Sequence, residues 1–323
     1  MSNYNWDTTA EQVASDCRPS IMNKTILITG VTPGGLGAGF ATIIAPYNPS
    51  LIILAARDTS KAKITAQEIE NVARSVATRI LELDLNSQTQ IRKAAKEVLS
   101  YDEHIDVLVN NAGVMAPPFR LTEDGVESQF GINHVGHFLF TNLIMSKLIA
   151  PGKVSRVVNV SSDGHRMGPV RFDDWNFDDG NTYDPWLGYG QAKTANMLFS
   201  LSLAQKLGTR GLISVSLHPG VINTNLLKGD VDESVESLVK WDKALGNRPF
   251  WRGFKWKTMS QGVATHVFAA FHDDILTTAR NGGFLLDSTG VPPEDIRCWA
   301  RDSIEAERLW KLSERIVGER FGY

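Results

Sequence analysis

Seven mostly apolar runs divide the chain, over residues 24–30, 51–56, 78–84, 105–111, 155–161, 213–218 and 283–287. Near-continuous apolar runs of this length are typical of strands that are covered on both faces of a sheet. A longer stretch with helical character separates each run from the next. Strands that alternate with helices predict one parallel sheet with right-handed crossovers, which is an α/β fold.

Two segments interrupt this alternation, and both are rich in aromatic residues. The first covers residues 171–186 and holds five aspartates and five aromatic residues: Phe172, Trp175, Phe177, Tyr183 and Trp186. The second covers residues 223–257 and holds many lysines and arginines, together with Trp241, Phe250, Trp251, Phe254 and Trp256. We interpret both as insertions that line an apolar or aromatic pocket; the alternative is that the rings only pin long loops to the protein body. Their opposite charge bias would allow the two segments to touch.

A glycine-rich turn follows the first apolar run. It reads Gly30-Val-Thr-Pro-Gly-Gly35-Leu36-Gly37 and leads into an apolar helical stretch. Glycines at such a turn allow the backbone to approach a pyrophosphate, which the N–H groups of the helix start can bind. Taken alone, the turn fits an ordinary strand-to-helix connection equally well.

Tyr189 and Lys193 lie four residues apart in a helical stretch, a spacing that places both side chains on one helix face. A free phenol has a pKa near ~10, and a fixed ammonium beside it favours the phenolate and lowers that pKa. Such a pair can pass a proton to or from a carbonyl or alcohol oxygen. The pattern alone is weak, because tyrosine and lysine occur at this spacing by chance on many helix surfaces.

Small and polar residues follow the other apolar runs. The fourth run ends in Asn110-Asn111-Ala112-Gly113, the fifth in Ser161-Ser162, and the sixth in His218-Pro219-Gly220. A further polar block, which contains Asn133, lies between the fourth and fifth runs. Because the carboxyl ends of parallel strands meet at one edge of a sheet, where α/β folds bind ligands, we expect these residues to form one site.

In this order and at these spacings, the blocks resemble the short-chain dehydrogenase/reductase (SDR) family. The resemblance is to its retinol-dehydrogenase-like and WW-domain-oxidoreductase-like branch, in the form seen in fungal proteins, and it runs from about Lys24 to Thr224. It implies a single-domain, doubly wound Rossmann fold: a seven-stranded parallel sheet in the order 3-2-1-4-5-6-7, helices on both faces, and substrate-lid insertions. We expect an N-terminal extension over residues 1–22 and one domain over residues 23–323. The glycine turn is one residue longer than the family's usual turn, which puts the phosphate contacts of residues 31–34 in question.

The resemblance implies four catalytic residues. Tyr189 would be the acid in carbonyl reduction or the base in alcohol oxidation, and Lys193 would lower its pKa and bind the nicotinamide ribose. Ser162 would position the substrate oxygen, with Ser161 as the alternative. Asn133 would hold a water that links Lys193 to solvent. As purely structural alternatives, Ser162 would cap a turn and Asn133 would bond only to the backbone.

The resemblance also implies which residues hold the dinucleotide. The Asp84 carboxylate would accept from the adenine amine, the Leu85 N–H would donate to the ring, and Thr224 would bond the nicotinamide carboxamide. The expected cofactor residues are Gly30, Gly35, Leu36, Gly37, Arg57, Asp84, Leu85, Asn111, Ala112, Gly113, Tyr189, Lys193, Pro219, Gly220, Ile222 and Thr224.

The end of the second apolar run bears on the choice between NAD and NADP. NAD-binding relatives carry an acid there, which bonds the ribose hydroxyls and repels a 2′-phosphate. In this chain Ala56 takes that place and Arg57 follows it, and a guanidinium suits a phosphate. We therefore expect NADP(H). In the alternatives, Asp58 binds the ribose or pairs with Arg57, or Arg57 is only a solvated surface residue.

Composition narrows the class of protein. A net charge of -3 gives no reason to expect nucleic acid or an anionic membrane as a partner. Two distant cysteines suggest a reducing compartment, and no Cys/His cluster has zinc spacing, so we expect no metal. Residues 1–22 are polar and mixed, without the apolar run of a signal peptide or membrane anchor. We therefore expect a cytoplasmic protein.

Together these features predict an NADP(H)-dependent oxidoreductase that moves a hydride to or from a ketone, an aldehyde or a secondary alcohol. Because the insertions are aromatic, we expect a lipophilic or aromatic small molecule of the secondary-metabolite type. The alternatives are a cyclisation or isomerisation on the same fold, and a non-catalytic dinucleotide-binding protein. Relatives often pair through the helix that carries Tyr189 and the helix before it, so a homodimer or homotetramer is the default; the insertions could instead leave a monomer.

Overall fold

The structure is a computed structural model, and it describes residues 4–224, 231–247, 255–277 and 280–323. Within these residues one sheet of eight strands forms the centre, in the order β3-β2-β1-β4-β5-β6-β7-β8. The strands are β1 (Thr25–Thr29), β2 (Leu51–Ala56), β3 (Ala77–Glu82), β4 (Val107–Asn110), β5 (Ser155–Val160), β6 (Leu212–His218), β7 (Phe284–Leu286) and β8 (Thr289–Gly290). All neighbours pair in parallel except β7 and β8.

The predicted strand order 3-2-1-4-5-6-7 is confirmed, but the expected strand count is wrong by one. The additional strand, β8, pairs antiparallel with β7. A turn of two residues joins them, Asp287 and Ser288, with φ of 51° and 58°. Positive φ at both central residues is the geometry that closes a tight hairpin. Strand β8 has only two residues, too few for a periodic pattern to be read from the sequence.

Twelve helices lie within the described residues. They are α1 (Ala10–Asp16), α2 (Arg18–Ile21), α3 (Leu36–Ile44), α4 (Thr59–Val72), α5 (Gln88–Leu99), α6 (Ser128–Phe130), α7 (Gly136–Leu143), α8 (Met145–Leu148), α9 (Pro185–Leu207), α10 (Val231–Ala244), α11 (Met259–Phe271) and α12 (Ser303–Val317). None of these helices combines the length and the apolar composition that a membrane span needs.

Helices cover both faces of the sheet, as the unbroken apolar runs predicted. One hydrophobic cluster joins the sheet to α5, α7, α9 and α12, and a second joins it to α1, α3, α4 and α11. Every residue of β1, β2, β4, β5 and β6 is buried between these two layers. The doubly wound α/β fold is therefore confirmed.

The N-terminal residues pack onto the second layer. Val13, Ala14 and Ile21 are buried in its cluster, and the ring of Tyr4 lies edge-on to Phe268 of α11, with centroids 5.8 Å apart. Helix α1 begins after Thr9, whose side chain accepts a hydrogen bond from the Gln12 N–H. The division into an extension over residues 1–22 and a domain over residues 23–323 stays a prediction.

Helix α12 packs along α9, which explains why α9 has no polar face. The ring centroids of Phe138 and Trp310 are 5.0 Å apart, and those of Phe199 and Trp310 are 6.2 Å apart. The Ser202 hydroxyl donates to the Ala306 carbonyl at 3.0 Å. The expected homodimer or homotetramer stays a prediction.

Candidate active site

The predicted site residues gather at the carboxyl edge of the sheet. They follow the strands as Gly30 after β1, Arg57 after β2, Asp84 and Leu85 after β3, Asn111, Ala112 and Gly113 after β4, Ser162 after β5, and Pro219, Gly220, Ile222 and Thr224 after β6. Gly35 is the N-cap of α3, which begins with Leu36 and Gly37, while Tyr189 and Lys193 lie in the first three turns of α9. The topology thus brings distant parts of the sequence to one place.

The additional residue of the glycine turn is accommodated in a Pro-Gly turn. The Gly35 N–H donates to the Thr32 carbonyl at 3.0 Å, and Gly34 between them has a φ of +75°. Proline followed by a glycine with positive φ is typical of a type II turn. The additional residue of the glycine turn lies before the N-cap of α3. The free N–H groups at the start of this helix therefore keep the arrangement that is usual for a helix N-terminus.

The glycine turn packs against the end of β4 without room for side chains. A Cβ on Gly37 would lie 2.6 Å from both Asn111 Nδ2 and the Gly30 carbonyl oxygen, and a Cβ on Gly30 would lie 2.7 Å from Ala112 Cα. The Asn111 amide donates to the Thr29 and Gly30 carbonyls at 2.8 and 3.2 Å. A surface built from bare backbone at a helix N-terminus fits the close approach of a pyrophosphate.

Thr29 organises this junction, a role that the sequence did not reveal. Its Oγ1 accepts hydrogen bonds from the N–H groups of Asn111 and Ala112, both at 3.0 Å. The same oxygen lies 2.9 Å from His137 Nε2. Thr29 is one more β-branched residue of a buried strand in the sequence, so no pattern distinguished it.

Asp58 and Arg57 differ in what surrounds them. The Asp58 carboxylate caps α4, accepting from the Ser60 N–H at 3.0 Å and from the Ser60 hydroxyl at 2.5 Å. The Ser60 hydroxyl is the main reason that the pKa of Asp58 lies below its usual value. Arg57 is exposed and makes no ion pair with any described residue, Asp58 included. The carboxylate is used locally, whereas the guanidinium faces solvent.

Ser162 lies beside Tyr189, while Ser161 points elsewhere. The Ser161 hydroxyl donates to the Lys193 carbonyl at 2.7 Å. The Ser162 hydroxyl accepts from the Gly164 N–H at 3.0 Å and lies on the same side of Gly164 as the Tyr189 ring. The tyrosine ring lies directly on Gly164, where a Cβ would be 2.5 Å from Tyr189 Cε1. This placement favours Ser162 over Ser161 as the group that meets a substrate oxygen.

Tyr189 and Lys193 are both buried, each with 5% exposure. Lys193 Nζ lies 5.4 Å from the centroid of the Tyr189 ring and donates to the Val160 carbonyl at 3.1 Å. Burial raises the pKa of Tyr189 to about 12, partly offset by the Ser162 hydrogen bond, and burial lowers the pKa of Lys193 to about 8. Burial dominates the pKa of Tyr189 because the phenolate loses hydration, and the expectation that Lys193 lowers this pKa stays a prediction.

Asn133 lies near Lys193, but its side chain is held by the backbone. It belongs to a π-helical turn, Gly131–Val135, and its amide accepts from the Val114 N–H at 2.8 Å and donates to the Val114 carbonyl at 2.9 Å. A Cβ on Gly113 would lie 3.0 Å from Asn133 Oδ1 and 3.7 Å from Lys193 Nζ, so these three residues meet. The expectation that Asn133 holds a water beside Lys193 stays a prediction.

Ile222 connects the turn after β6 with the glycine turn. A Cβ on Gly262 of α11 would lie 2.5 Å from Ile222 Cγ1 and 3.4 Å from Leu36 Cδ2.

On the adenine side of the expected dinucleotide site, the Asp84 carboxylate accepts from the Asn86 N–H at 3.0 Å, which fixes the orientation of this carboxylate. The two ends of the expected dinucleotide site are therefore both built from short, packed turns.

An apolar cluster lies against Tyr189. The rings of Trp186 and Tyr189 are perpendicular, with centroids 5.9 Å apart. Leu238 belongs to α10, so the second insertion reaches the catalytic candidate, and the Ser237 hydroxyl donates to Asp184 Oδ2 at 2.5 Å. The two insertions therefore touch, through a hydrogen bond and apolar packing. The members of this cluster, which we call the apolar cluster, are Met115, Ala116, Met167, Trp186, Tyr189, Leu238 and Trp241.

The aromatic residues of the insertions have different surroundings. Among those described, Trp186 and Trp241 belong to the apolar cluster beside Tyr189. In contrast, Phe172 and Trp175 pack on the main core, the rings of Phe177 and Tyr183 pack on each other at 5.4 Å, and Trp256 is 53% exposed. Phe250, Trp251 and Phe254 lie outside the described residues. Phe172, Trp175, Phe177 and Tyr183 thus pin a long loop to the protein body, and the lining of a substrate pocket stays a prediction.

Comparisons with known proteins agree with this geometry. The family model described as short chain dehydrogenase matches residues 24–174. Retinol dehydrogenase 13 of Mus musculus is 35% identical over 307 residues, which cover 94% of this chain and 87% of the mouse protein.

Two solved structures share the fold. An uncharacterised protein from Mycobacterium paratuberculosis has a TM-score of 0.72 and 31% identity, covering 96% of this chain and 98% of that one. A gluconate 5-dehydrogenase from Burkholderia cenocepacia J2315, in complex with NADP and tartrate, has a TM-score of 0.61 and 22% identity, covering 84% and 96%. With a relative that is 35% identical along nearly the whole chain, the protein belongs to the short-chain dehydrogenase/reductase family, in its retinol-dehydrogenase-like branch, and is a dinucleotide-dependent oxidoreductase.

Proposed function

We propose that the protein uses NADPH to reduce a carbonyl group of a small apolar molecule, and that it oxidises the corresponding alcohol in the reverse direction. One observation carries this proposal: the buried Tyr189 lies between Ser162 and a cluster of apolar side chains. A phenol with a pKa of about 12 is fully protonated at neutral pH, which is the form that donates a proton to a carbonyl oxygen.

The roles of the side chains follow from their positions. Ser162 and the ring of Tyr189 both border Gly164, so a carbonyl oxygen placed near their two hydroxyls would accept a hydrogen bond from each. When bound, the cofactor supplies the hydride. Tyr189 gives its proton to the oxygen, and the Lys193 ammonium near its ring stabilises the phenolate that remains. Because the pKa of Lys193 is about 8, this amine can also pass a proton on near neutral pH.

The two directions of the reaction should depend on pH in opposite ways. Alcohol oxidation needs the phenolate as base, and below a pKa of about 12 the phenolate fraction rises about tenfold per pH unit. We expect kcat/KM for oxidation to increase from about pH 6 to about pH 8, where the Lys193 ammonium still stabilises the phenolate. Reduction should stay level at neutral pH and decline above about pH 8, as the Lys193 ammonium loses its proton. Profiles measured with one alcohol and its ketone test this, and an oxidation rate that does not respond to pH would contradict Tyr189 as the base.

The preference for NADPH is supported by the end of β2. Ala56 offers no carboxylate to a ribose, and the Asp58 carboxylate is engaged as the cap of α4. Arg57, exposed and without an ion pair among the described residues, is the remaining charged group at this point of the sheet edge. A guanidinium can bind a 2′-phosphate with two parallel hydrogen bonds.

Titration of the protein with NADPH and with NADH, followed by energy transfer from tryptophan to the reduced nicotinamide, tests this preference. We expect NADPH to bind ~10- to 100-fold more tightly, which corresponds to about 1.5–3 kcal/mol for a charged hydrogen bond. Arg57→Ala should remove this difference and leave NADH affinity unchanged. Arg74→Ala, an exposed arginine after the far end of α4, is the matched control and should change neither affinity. Tighter binding of NADH by the unaltered protein would contradict the proposal.

The apolar cluster beside Tyr189 supports a lipophilic substrate that contains rings. Trp186 and Trp241 offer flat apolar surfaces, and Met115 and Met167 adapt to irregular shapes. A screen of ketones and aldehydes with graded apolar ring area tests this proposal. The value of kcat/KM should rise with ring area and be lowest for small polar carbonyl compounds.

A further inference from the structure

Lys257, which has no part in the proposed chemistry, is buried against the turn that follows β6. Its side chain is 2% exposed. Its N–H donates to the Val221 carbonyl at 2.9 Å, and it forms a parallel bridge with Ile222. Its methylene groups cover Gly220, where a Cβ would lie 2.7 Å from Lys257 Cδ. The turn of residues 219–222 therefore cannot shift without moving Lys257.

Asp287, in the hairpin of β7 and β8, neutralises the charge of Lys257. Lys257 Nζ lies 2.5 Å from Asp287 Oδ1. Asp287 begins the two-residue turn between β7 and β8, and the next N–H of that turn, of Ser288, donates to Thr265 Oγ1 at 3.1 Å. A buried ammonium without a partner is strongly unfavourable, so the ion pair ties the turn after β6 to this hairpin.

The N-terminal segment reaches the same lysine from the other side. The ring of Trp6 lies 3.7 Å from Lys255 Nζ and 5.8 Å from Lys257 Nζ, measured to the ring centroid. Both distances are within the range of cation–π attraction. The Ala10 N–H also donates to Ser260 Oγ at 3.0 Å. Residues near the N-terminus thus contact the short segment, including Lys257, that leads into α11.

The contacts continue from Lys257 to the glycine turn. Ile222, the bridge partner of Lys257, packs against Gly262, which is also in reach of Leu36 at the start of α3. The turn of residues 219–222 is consequently held from three directions, by α11, by the hairpin and by the N-terminal segment. Its position is set before any ligand binds.

We propose that Trp6, Lys257 and Asp287 together position the turn of residues 219–222 for the nicotinamide half of the dinucleotide, so that the N-terminal segment is part of the cofactor site. The proposal rests on the proposed function, which places NADPH along this edge of the sheet. A turn that is already ordered costs little to fix on binding, whereas a loosened turn lowers the affinity by its ordering cost. The three residues are positioning residues, since none of them is required to touch the cofactor.

Two ligands separate this role from a general structural one. NADPH contains the nicotinamide half, whereas 2′-phospho-ADP-ribose lacks the nicotinamide ring but keeps the contacts with the glycine turn and the end of β2. Loss of positioning at residues 219–222 should weaken only the first ligand. General damage to the fold should weaken both.

The experiment measures the Kd of both ligands for Lys257→Met, Asp287→Asn and Trp6→Leu. Lys257→Met keeps the methylene groups over Gly220 and removes the charge, and we expect its NADPH Kd to rise about five- to twentyfold while its 2′-phospho-ADP-ribose Kd stays within about twofold. Asp287→Asn and Trp6→Leu should shift the NADPH Kd in the same direction by about three- to tenfold. Lys257→Met combined with Asp287→Asn should weaken NADPH no more than Lys257→Met alone, because both substitutions break one ion pair.

Lys311→Met is the matched control, since Lys311 forms an exposed ion pair with Glu307 on α12, and neither Kd should change. If Lys257→Met does not fold, Asp287→Asn and Trp6→Leu carry the test. Equal weakening of both ligands, or no weakening of either, overturns the proposal. If the unaltered protein binds neither ligand, it is the proposed function that fails.

Discussion

Replacing Tyr189 with phenylalanine is expected to lower kcat for carbonyl reduction by about 10²- to 10⁴-fold while NADPH affinity stays within about threefold. The substitution removes the proton donor and keeps the ring, which packs on Gly164 and lies perpendicular to Trp186. Because the lost interaction acts on the developing oxygen charge, kcat and kcat/KM should fall together. Steady-state kinetics with a ketone from the screen, together with the NADPH titration, provide the measurement.

Tyr183→Phe is the matched control for this prediction. The Tyr183 hydroxyl donates to the Pro117 carbonyl and accepts from the Gln129 amide, both at 2.8 Å, and it lies six residues before Tyr189. Removing this hydroxyl should change kcat by less than about tenfold, because it only loosens a loop. If Tyr189→Phe turns over as fast as the unaltered enzyme, the proton comes from another group. If NADPH binds and no carbonyl compound is turned over, the non-catalytic and non-redox alternatives gain support.

The raised pKa of Tyr189 changes how the lysine should be understood. With a pKa of about 12 for Tyr189 and about 8 for Lys193, the neutral phenol and the ammonium are the stable pair at neutral pH. Tyr189 is therefore a neutral phenol before proton transfer, and the Lys193 ammonium favours the phenolate without making it the stable form. This ammonium matters after proton transfer, when the buried phenolate would otherwise lack a counter-charge.

The fold could be predicted because burial on both faces leaves a direct trace in the sequence. A strand such as β2, Leu51–Ala56, is buried at every residue and is therefore apolar at every residue. The gathering of the site residues was predictable for a related reason, since parallel strands place their carboxyl ends at one edge. Glycine, serine and asparagine residues that follow such strands stand out against the apolar runs.

Other parts of the site depend on packing that no local pattern encodes. Met115 and Met167 are ordinary apolar residues in the sequence, and only the folded chain brings them next to Tyr189. Lys257 reads as one of several lysines in a basic segment, yet it is buried against Gly220. The sequence does not show whether Arg57 or Asp58 is available to bind the ribose. The structure shows that Asp58 caps α4, and α4 beginning one residue earlier or later would give the cap to a different residue.

The glycine turn supplies the second large effect, which a pair of matched substitutions isolates. Gly37→Ala would place a Cβ 2.6 Å from the Gly30 carbonyl oxygen and from Asn111 Nδ2, and backbone has little freedom to move aside. Overpacking of this kind costs about 1–3 kcal/mol of the free energy of unfolding. We also expect NADPH affinity to fall by about tenfold or more, since relieving the overlap moves the backbone that faces the phosphates.

Gly39→Ala is the control, two residues further along the same helix, α3. A Cβ there would meet the Met259 side chain, with its sulfur at 3.0 Å, and the flexible end of a methionine can move. The gain in helix propensity from glycine to alanine, about 1 kcal/mol, offsets this adjustment, so stability and NADPH affinity should stay close to those of the unaltered protein. Both substitutions add one methyl group to α3, and they differ in the atoms that this methyl group would contact. Equal effects of the two substitutions on the NADPH Kd would show that α3 does not bind the dinucleotide through the backbone near Gly37.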